Sequence, residues 1–437
     1  MSPDNSTHLT AAPDARSAEA LAARGLELRV VPPDDTAAFT SWRRAVTRGF
    51  LEPEPGDDDA ESARERSAAR RKTGVYDPSV PVPQEPVATF ASWIGELTVP
   101  GGAGIPACAI SAVTVAPTHR RRGLLRTLMA GELRLAVDQG VPIAGLTVSE
   151  STIYGRFGFA PAAAAANWTL DLKRAAWTGP VPDGRVDFIT RERWAQLAAP
   201  LHERTRLRAA GELSLPRGHI DRVAGTHPGA KDAGQRRAIQ YTDAAGTVRG
   251  VALYSAKENH DDFTKSTAQL HYLLAEDGDA YAALWRFLIG LDLIGELHAG
   301  ELSVDEPLLW MISDQRAARV TVTDHQYVRV LDVAAALRAR RFGAAGRLVL
   351  EVSDPLGHAA GRWLLEVGED GTAAVSDAAG ESDAVTVRLG VAELSAAYLG
   401  GVSLATLAAA GRVETADPDL AARVFGWHRA PRLSFWY

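Results

Sequence analysis

One segment constrains this chain more than any other: Val113-Thr-Val-Ala-Pro-Thr-His-Arg-Arg-Arg-Gly-Leu-Leu-Arg126. It reads as a strand, a proline-broken turn, a basic loop with one glycine, and the start of an amphipathic helix. Leu125, Leu128, Met129, Leu133 and Ala136 recur at helical spacing, which predicts a helix over Gly123–Gln139. Gly140 and Pro142 give the stop signal, and Ile143–Val148 is a short apolar strand. Strand, loop, helix and parallel strand make one βαβ unit. The first turn of a helix leaves N–H groups without partners and carries positive potential, so such an end binds phosphate. Gly123 lets the backbone approach a pyrophosphate closely, and the arginines add charge. Read alone, Arg120-Arg121-Arg122-Gly123 also suits a solvated basic face.

The chain has 437 residues, enough for roughly three domains. Apolar residues make up 46% and charged residues 23%, which excludes a mainly disordered or collagen-like chain. The formal net charge of −7 lacks the basic footprint of a general nucleic-acid binder and suits a cationic substrate. A single cysteine, Cys108, excludes an internal disulfide and a Cys-rich zinc site. Met1–Arg24 lacks a basic start followed by an apolar run, so it is read as a disordered lead-in rather than a secretory signal. With no run of about 18 apolar residues, no membrane span is expected, and a cytoplasmic protein is the simplest reading.

Hydrophobic patterning organises the rest into a mixed α/β (α+β) chain of three units. The expected bounds are a lead-in at 1–25 and domains at 26–167, 168–321 and 322–437. The first holds strands near Leu26–Val31, Ala88–Leu97 and Ala107–Val115, a helix near Phe39–Arg48, and an acidic loop at Glu52–Glu61. The second holds a helix near Trp194–Arg208, strands near Ala238–Tyr241, Arg249–Tyr254 and Ala268–Leu274, and an apolar helix over Tyr281–Gly295. The third opens with a strand at Tyr327–Leu331 and an Ala-rich helix at Val333–Arg341.

A second motif follows the βαβ unit: Ser149-Glu-Ser-Thr-Ile-Tyr-Gly-Arg-Phe-Gly-Phe159. The loop Arg120-Arg121-Arg122-Gly123-Leu124-Leu125 resembles the cofactor loop of the GNAT acetyltransferases (Arg/Gln-x-x-Gly-x-Gly/Ala), with Leu125 where the family has a second small residue. The longer strings VAPTHRRRGLLR and IYGRFGF resemble the narrower Eis (enhanced intracellular survival) family. Ala283–Asp292, Val328–Leu337 and the aromatic C-terminus agree with it in the same order, so the resemblance covers Leu26–Tyr437. It implies two GNAT-like mixed-sheet domains followed by a sterol-carrier-like domain, acetyl-CoA as co-substrate, and a homo-oligomer, a hexamer in that family.

Carried over residue by residue, the resemblance implies acetyl-CoA contacts at Val113, Thr114 and Val115, at Arg121, Arg122, Gly123, Leu124, Leu125 and Arg126, and at Ser149 and Glu150. An exposed edge of the Val113–Val115 strand suits the amides of a pantetheine arm. Tyr154 is the implied general acid: it faces a departing thiolate, and a positioned phenol can donate to it. The alternative is a tyrosine that only packs on its turn. The implied base is the terminal carboxylate, here that of Tyr437; the alternative is plain packing of the tail. Phe50 and Glu52 fall where the family contacts the acceptor. Asp57–Asp59 lie just beyond and suit either a polycationic amine or a solvated loop, while Trp42 reads as core.

The second unit's equivalent loop, Ala275-Glu-Asp-Gly-Asp-Ala280, is acidic and lacks the Arg-x-x-Gly pattern, so a GNAT-like fold without cofactor is expected there. No Walker loop, GxSxG or HExxH occurs. Asn259-His-Asp-Asp262 reads as a polar loop, and no metal is expected. The expected activity is acetyl transfer to primary amines such as aminoglycosides, lysine side chains or polyamines. The competing reading is a non-catalytic acyl-CoA-binding or assembly protein that keeps the fold.

Overall fold

The computed structural model describes residues 4–56, 59–230, 232–378, 380 and 383–437. They form two compact units: residues 1–162 with 326–428 and 437, and residues 163–325 with 429–436.

The first unit begins with two short helices, α1 (Asn5–Thr10) and α2 (Ala15–Ala22). This corrects the expectation of a disordered lead-in. Helices of this length gain little from propensity; these are held by docking. Asn5 accepts from the Ile94 N–H and donates to the Ala69 carbonyl, both within 2.9 Å. Asp14 takes a forked contact from Arg134 (2.6 and 3.0 Å), and Leu21 is fully buried in the core. His8 enters a buried polar cluster, meeting Gln139 and Ser92 through its two ring nitrogens (2.9 and 2.8 Å). Beside it, Arg71 and Glu132 form a buried ion pair at 3.0 Å.

A mixed sheet follows: β1 (Glu27–Val30), β2 (Arg71–Tyr76), β3 (Ala88–Thr98), β4 (Gly104–Val115) and β5 (Ile143–Thr147). Neighbours are antiparallel except β4 and β5, which are parallel and joined by α5 (Leu124–Asp138). β5 pairs on its other side with the end of the strand Ala318–Val330, from Gln326↔Thr147 to Val330↔Ile143. One face of α5 (Leu124, Leu128, Met129, Leu133, Ala136) is buried against the sheet. The other face of the sheet carries α3 (Thr36–Gly49), which buries Phe39 and Trp42. Trp42 is core as expected, its indole donating to the Thr73 carbonyl at 2.8 Å. A further helix, α4 (Ala60–Arg66), ends the acidic loop earlier than expected.

Residues 326–428 cluster with this first domain. They hold a five-stranded sheet, ordered 373–377, 361–367, 346–353, 385–390 and 413–415, packed with four helices. Arg329, fully buried, donates to the Phe157 carbonyl at 2.9 Å and pairs with Asp354 at 2.6 Å. That tie binds the C-terminal region to the turn after Tyr154.

The second unit repeats the first domain's pairing scheme. Strands Arg185–Ile189, Arg236–Thr242, Val248–Lys257 and Ser266–Ala275 run antiparallel in series. The helix Gly278–Ile289 then leads to a parallel strand, Ile294–Leu302, which pairs antiparallel with Ala160–Asp171. The apolar helix expected to reach Gly295 stops at Ile289, because Gly290 caps it and Ile294 is already strand.

Candidate functional site

The site grows out of a defect in β4. The β3–β4 register shifts between Thr89↔Thr114 and Ala91↔Ser111, and Ala112 takes a φ of +50°. Such a bulge bends a strand and ends pairing on one side. The β4–β5 ladder runs from Ala107↔Ile143 to Ile110↔Leu146, short of the bulge. Thr114 and Val115 therefore stay paired to β3 on one edge while the other edge lies beyond the β4–β5 ladder, and Val113 and Val115 are half-buried. Thr114 is buried, its hydroxyl 2.7 Å from that of Thr89.

The α5 N-terminus lies a few residues on. Its N-cap, Gly123, has a φ of +72° and offers no side chain to the first turn, and Arg121 also sits at positive φ. Among the described residues no N-cap side chain accepts from the first N–H groups of α5. Arg120, Arg121, Arg122, Gly123 and Arg126 are exposed, and among the described residues none of these arginines is in an ion pair. A Cβ built on Gly123 meets nothing within 4 Å, so the space in front of the helix is open. Leu124 is buried; Leu125 is half-buried and packs against the core, which accommodates its departure from a small residue. The loop is fixed from behind by a pair the sequence reading missed. His119 Nε2 lies 3.1 Å from Asp77 Oδ2, both buried. Hydrogen bonds from Ser79 and His119 hold the Asp77 carboxyl at about 2.

Beyond β5, Ser149 and Glu150 are exposed and Tyr154 closes the segment. Tyr154 is 9% exposed and packs edge-on against Phe159. Burial, with a smaller push from Glu150, raises its phenol to about 12. Among the described residues its hydroxyl has no hydrogen-bond partner. A protonated, uncommitted donor is what a departing thiolate requires.

These features agree with the comparisons. The GNAT acetyltransferase domain family matches residues 33–162, and a second GNAT family matches residues 212–330. The sterol carrier protein domain family matches residues 333–434. An uncharacterized N-acetyltransferase of Streptomyces avermitilis is 37% identical over 400 residues, 88% of this chain and 92% of its own. The N-acetyltransferase Eis of Mycobacterium tuberculosis is 35% identical over 344 residues, 75% of this chain and 79% of its own. The chain belongs to the Eis family of GNAT N-acetyltransferases. The crystal structure of Eis1 from Mycobacterium abscessus matches with a TM-score of 0.78 at 26% identity, covering 94% of this chain and 100% of that one.

In this Eis-family enzyme the end of α3 reaches the bulged strand. A Cβ on Gly49 would lie 2.4 Å from Cβ of Thr114, so only glycine permits the approach. Phe50 (42% exposed), Leu51 (φ +59°) and exposed Glu52 follow at once in the chain. Asp59 is taken out of the expected acidic set, because its carboxylate pairs with Arg43 at 2.6 Å. Asp57 and Asp58 lie outside the described residues.

The tail divides. Residues 429–436 cluster with the second unit, where Ser434 donates to Glu212 and Phe435 packs on His219. Tyr437 clusters with the first unit; Thr147 Oγ1 donates to its main-chain oxygen at 2.8 Å.

The second GNAT-like domain lacks the open helix end. Asp277 caps the helix Gly278–Ile289, its carboxylate accepting from the Ala280 N–H at 2.8 Å. Glu276 beside it pairs with Arg204 and Arg249. Asn259–Asp262 form a polar turn in which the Asn259 side chain accepts from the N–H groups of Asp261 and Asp262. Among the described residues one group has metal-ligand types within reach of each other, His8, Cys108 and Glu132. His8 and Glu132 are already engaged by Ser92 and Arg71, and the Arg71 cation sits 3.0 Å from Glu132, which opposes a second cation there.

Proposed function

We propose that this enzyme transfers the acetyl group of acetyl-CoA to a primary amine of a cationic small molecule, by direct attack of the amine on the thioester. The observation that carries the reading is the pairing of the uncapped α5 N-terminus with the freed edge of β4. The helix end and its arginines suit a pyrophosphate, and the strand edge suits the amides of a pantetheine arm. Val113–Val115, Arg121–Arg126, Ser149 and Glu150 are the proposed contacts. The self-capped helix of the second domain supports confining the cofactor to the first.

In the proposed chemistry, a C–N bond forms and the C–S bond breaks. Attack makes the nitrogen positive and acidic, and the carboxylate of a chain ending at Tyr437 takes that proton. Tyr154 donates to the departing thiolate. Thr147 is the last residue of β5, and Tyr154 follows it by one short segment, which supports both groups acting at the same strand end. Phe50 and Glu52 supply an apolar wall and a negative charge for the acceptor, in line with the net charge of −7.

The test is release of CoA against a panel of aminoglycosides, polyamines and lysine peptides, with neutral amines as controls. Turnover restricted to neutral amines refutes the substrate class. A chain extended by a few residues past Tyr437 should bind acetyl-CoA normally and turn over slowly. Equal rates for extended and unextended chains remove the carboxylate from the mechanism.

A further inference from the structure

Tyr437 lies along β5 as a rod held at both ends. Its main-chain oxygen receives the Thr147 hydroxyl at 2.8 Å. Its phenol oxygen lies over Gly145, 3.2 Å from where a Cβ would stand. Thr147 and Gly145 point to the same face of the strand, two residues apart. Two residues of strand span about 6.5 Å, a step that the length of a tyrosine side chain matches. The floor beneath is made of residues without bulk, Ala109 and Gly145, which are paired across β4 and β5.

The far end is specific for a hydroxyl. Gln326 pairs directly with Thr147 across the β5 ladder and hydrogen-bonds the Tyr437 phenol with its side-chain amide. Gln326 is 1% exposed and Tyr437 is 7% exposed. Trp93, on β3 opposite Ala109, closes the side with its ring edge-on to the phenol, centroids 5.2 Å apart. Hydroxyl donor, small floor, aromatic wall and amide together make a built cleft for one tyrosine.

We propose that Thr147, Gly145, Gln326 and Trp93 form a tyrosine-reading cleft that positions the Tyr437 carboxylate, with Thr147 and Gln326 as positioning residues for the transfer reaction. This rests on the proposed role of that carboxylate as base. Thr147 donates to the main-chain oxygen of Tyr437 and so fixes the orientation of the carboxylate of a chain ending there. The phenol contact at Gln326 sets how far along β5 the carboxylate stands.

Two readouts on the full chain test it. The first is carboxypeptidase release of Tyr437, followed by mass spectrometry and independent of activity. The second is steady-state kinetics with its pH dependence. Thr147→Val and Gln326→Leu should release Tyr437 at least severalfold faster than the wild type. Thr147→Val should lower kcat about tenfold, the scale of one hydrogen bond to a charged group, and Gln326→Leu about severalfold, the scale of one to a neutral phenol, both with the acetyl-CoA KM unchanged. The acidic limb of the pH–rate profile should move upward in Thr147→Val, because a carboxylate that loses a donor becomes more basic. Thr147→Ser should restore all three. Release of Tyr437 at the wild-type rate from both variants overturns the cleft. Faster release with unchanged kcat overturns the carboxylate as base and leaves the cleft standing as a binding site.

Discussion

His119 Nε2 and Asp77 Oδ2 lie 3.1 Å apart, although 42 residues separate them in the chain. The contact ties the basic loop ahead of α5 to the end of β2, and so sets the direction in which the α5 amides point. His119→Leu should weaken acetyl-CoA binding severalfold in calorimetric titration while leaving the secondary structure intact. Unchanged affinity would show that the loop needs no support from behind.

The same pair has a defined pH signature. Asp77 is held at about 2, below the unfolded carboxylate value of about 4. A carboxyl with a depressed folded pKa adds stability that is complete above the unfolded value and is lost as pH falls through the folded one. The stability gap between wild type and Asp77→Asn should therefore be constant from neutral pH down to about 4 and close between about 4 and 2. Denaturant unfolding across that range measures it; a gap that closes near pH 6 would point to another group.

Tyr154 keeps its proton across ordinary assay conditions, since its phenol stands at about 12. Tyr154→Phe should lower kcat by about 10²-fold, as loss of a general acid does, with acetyl-CoA affinity preserved. The alkaline limb of the pH–rate profile below pH 10 should not move. Wild-type turnover in this variant dismisses the role.

Gly123→Glu should abolish acetyl-CoA binding. The new side chain meets open space, so folding survives, but φ of +72° strains it and its charge would face the proposed pyrophosphate site. Gly278→Glu in the second domain should leave affinity unchanged, because Asp277 already caps that helix. Calorimetry giving the reverse pattern would move the cofactor to the second domain.

Arg71→Met should destabilise the first domain by about 3–5 kcal/mol, the cost of leaving a buried charge without its partner. Burial works to raise the Glu132 carboxyl, and the His8 hydrogen bond and Arg71 charge outweigh it. The double variant Arg71→Met with Glu132→Leu should recover part of the loss. Thermal unfolding of the single and double variants decides, and additive losses would contradict an ion pair at this position.

The βαβ unit was legible because its signals are local. Helical spacing, one glycine at the helix start and the Gly140–Pro142 stop lie within one short stretch, and the structure keeps them nearly to the residue. The N-terminal helices were not legible. Their composition is polar and small, and what makes them helical is docking of Asn5, His8, Asp14 and Leu21 onto residues 64 to 131 positions away. The loss of Asp59 from the acidic set was likewise invisible, because its partner Arg43 stands on a different helix.

The sequence by itself determined the βαβ frame, the glycine and arginines at the start of α5, the acidic loop at the equivalent place in the second domain, and the family. Each follows from backbone demands that neighbouring residues meet or leave unmet: periodicity, a cap, a charge beside a helix end. Tertiary structure alone decided that Asp77 braces the loop, that a bulge at Ala112 frees one edge of β4, and that Tyr437 lies on Gly145 between Thr147 and Gln326. Those relationships depend on strand register and on burial, which join residues up to 290 positions apart. Removing a polar group from water makes such a partner obligatory, and only the folded chain chooses which partner it is.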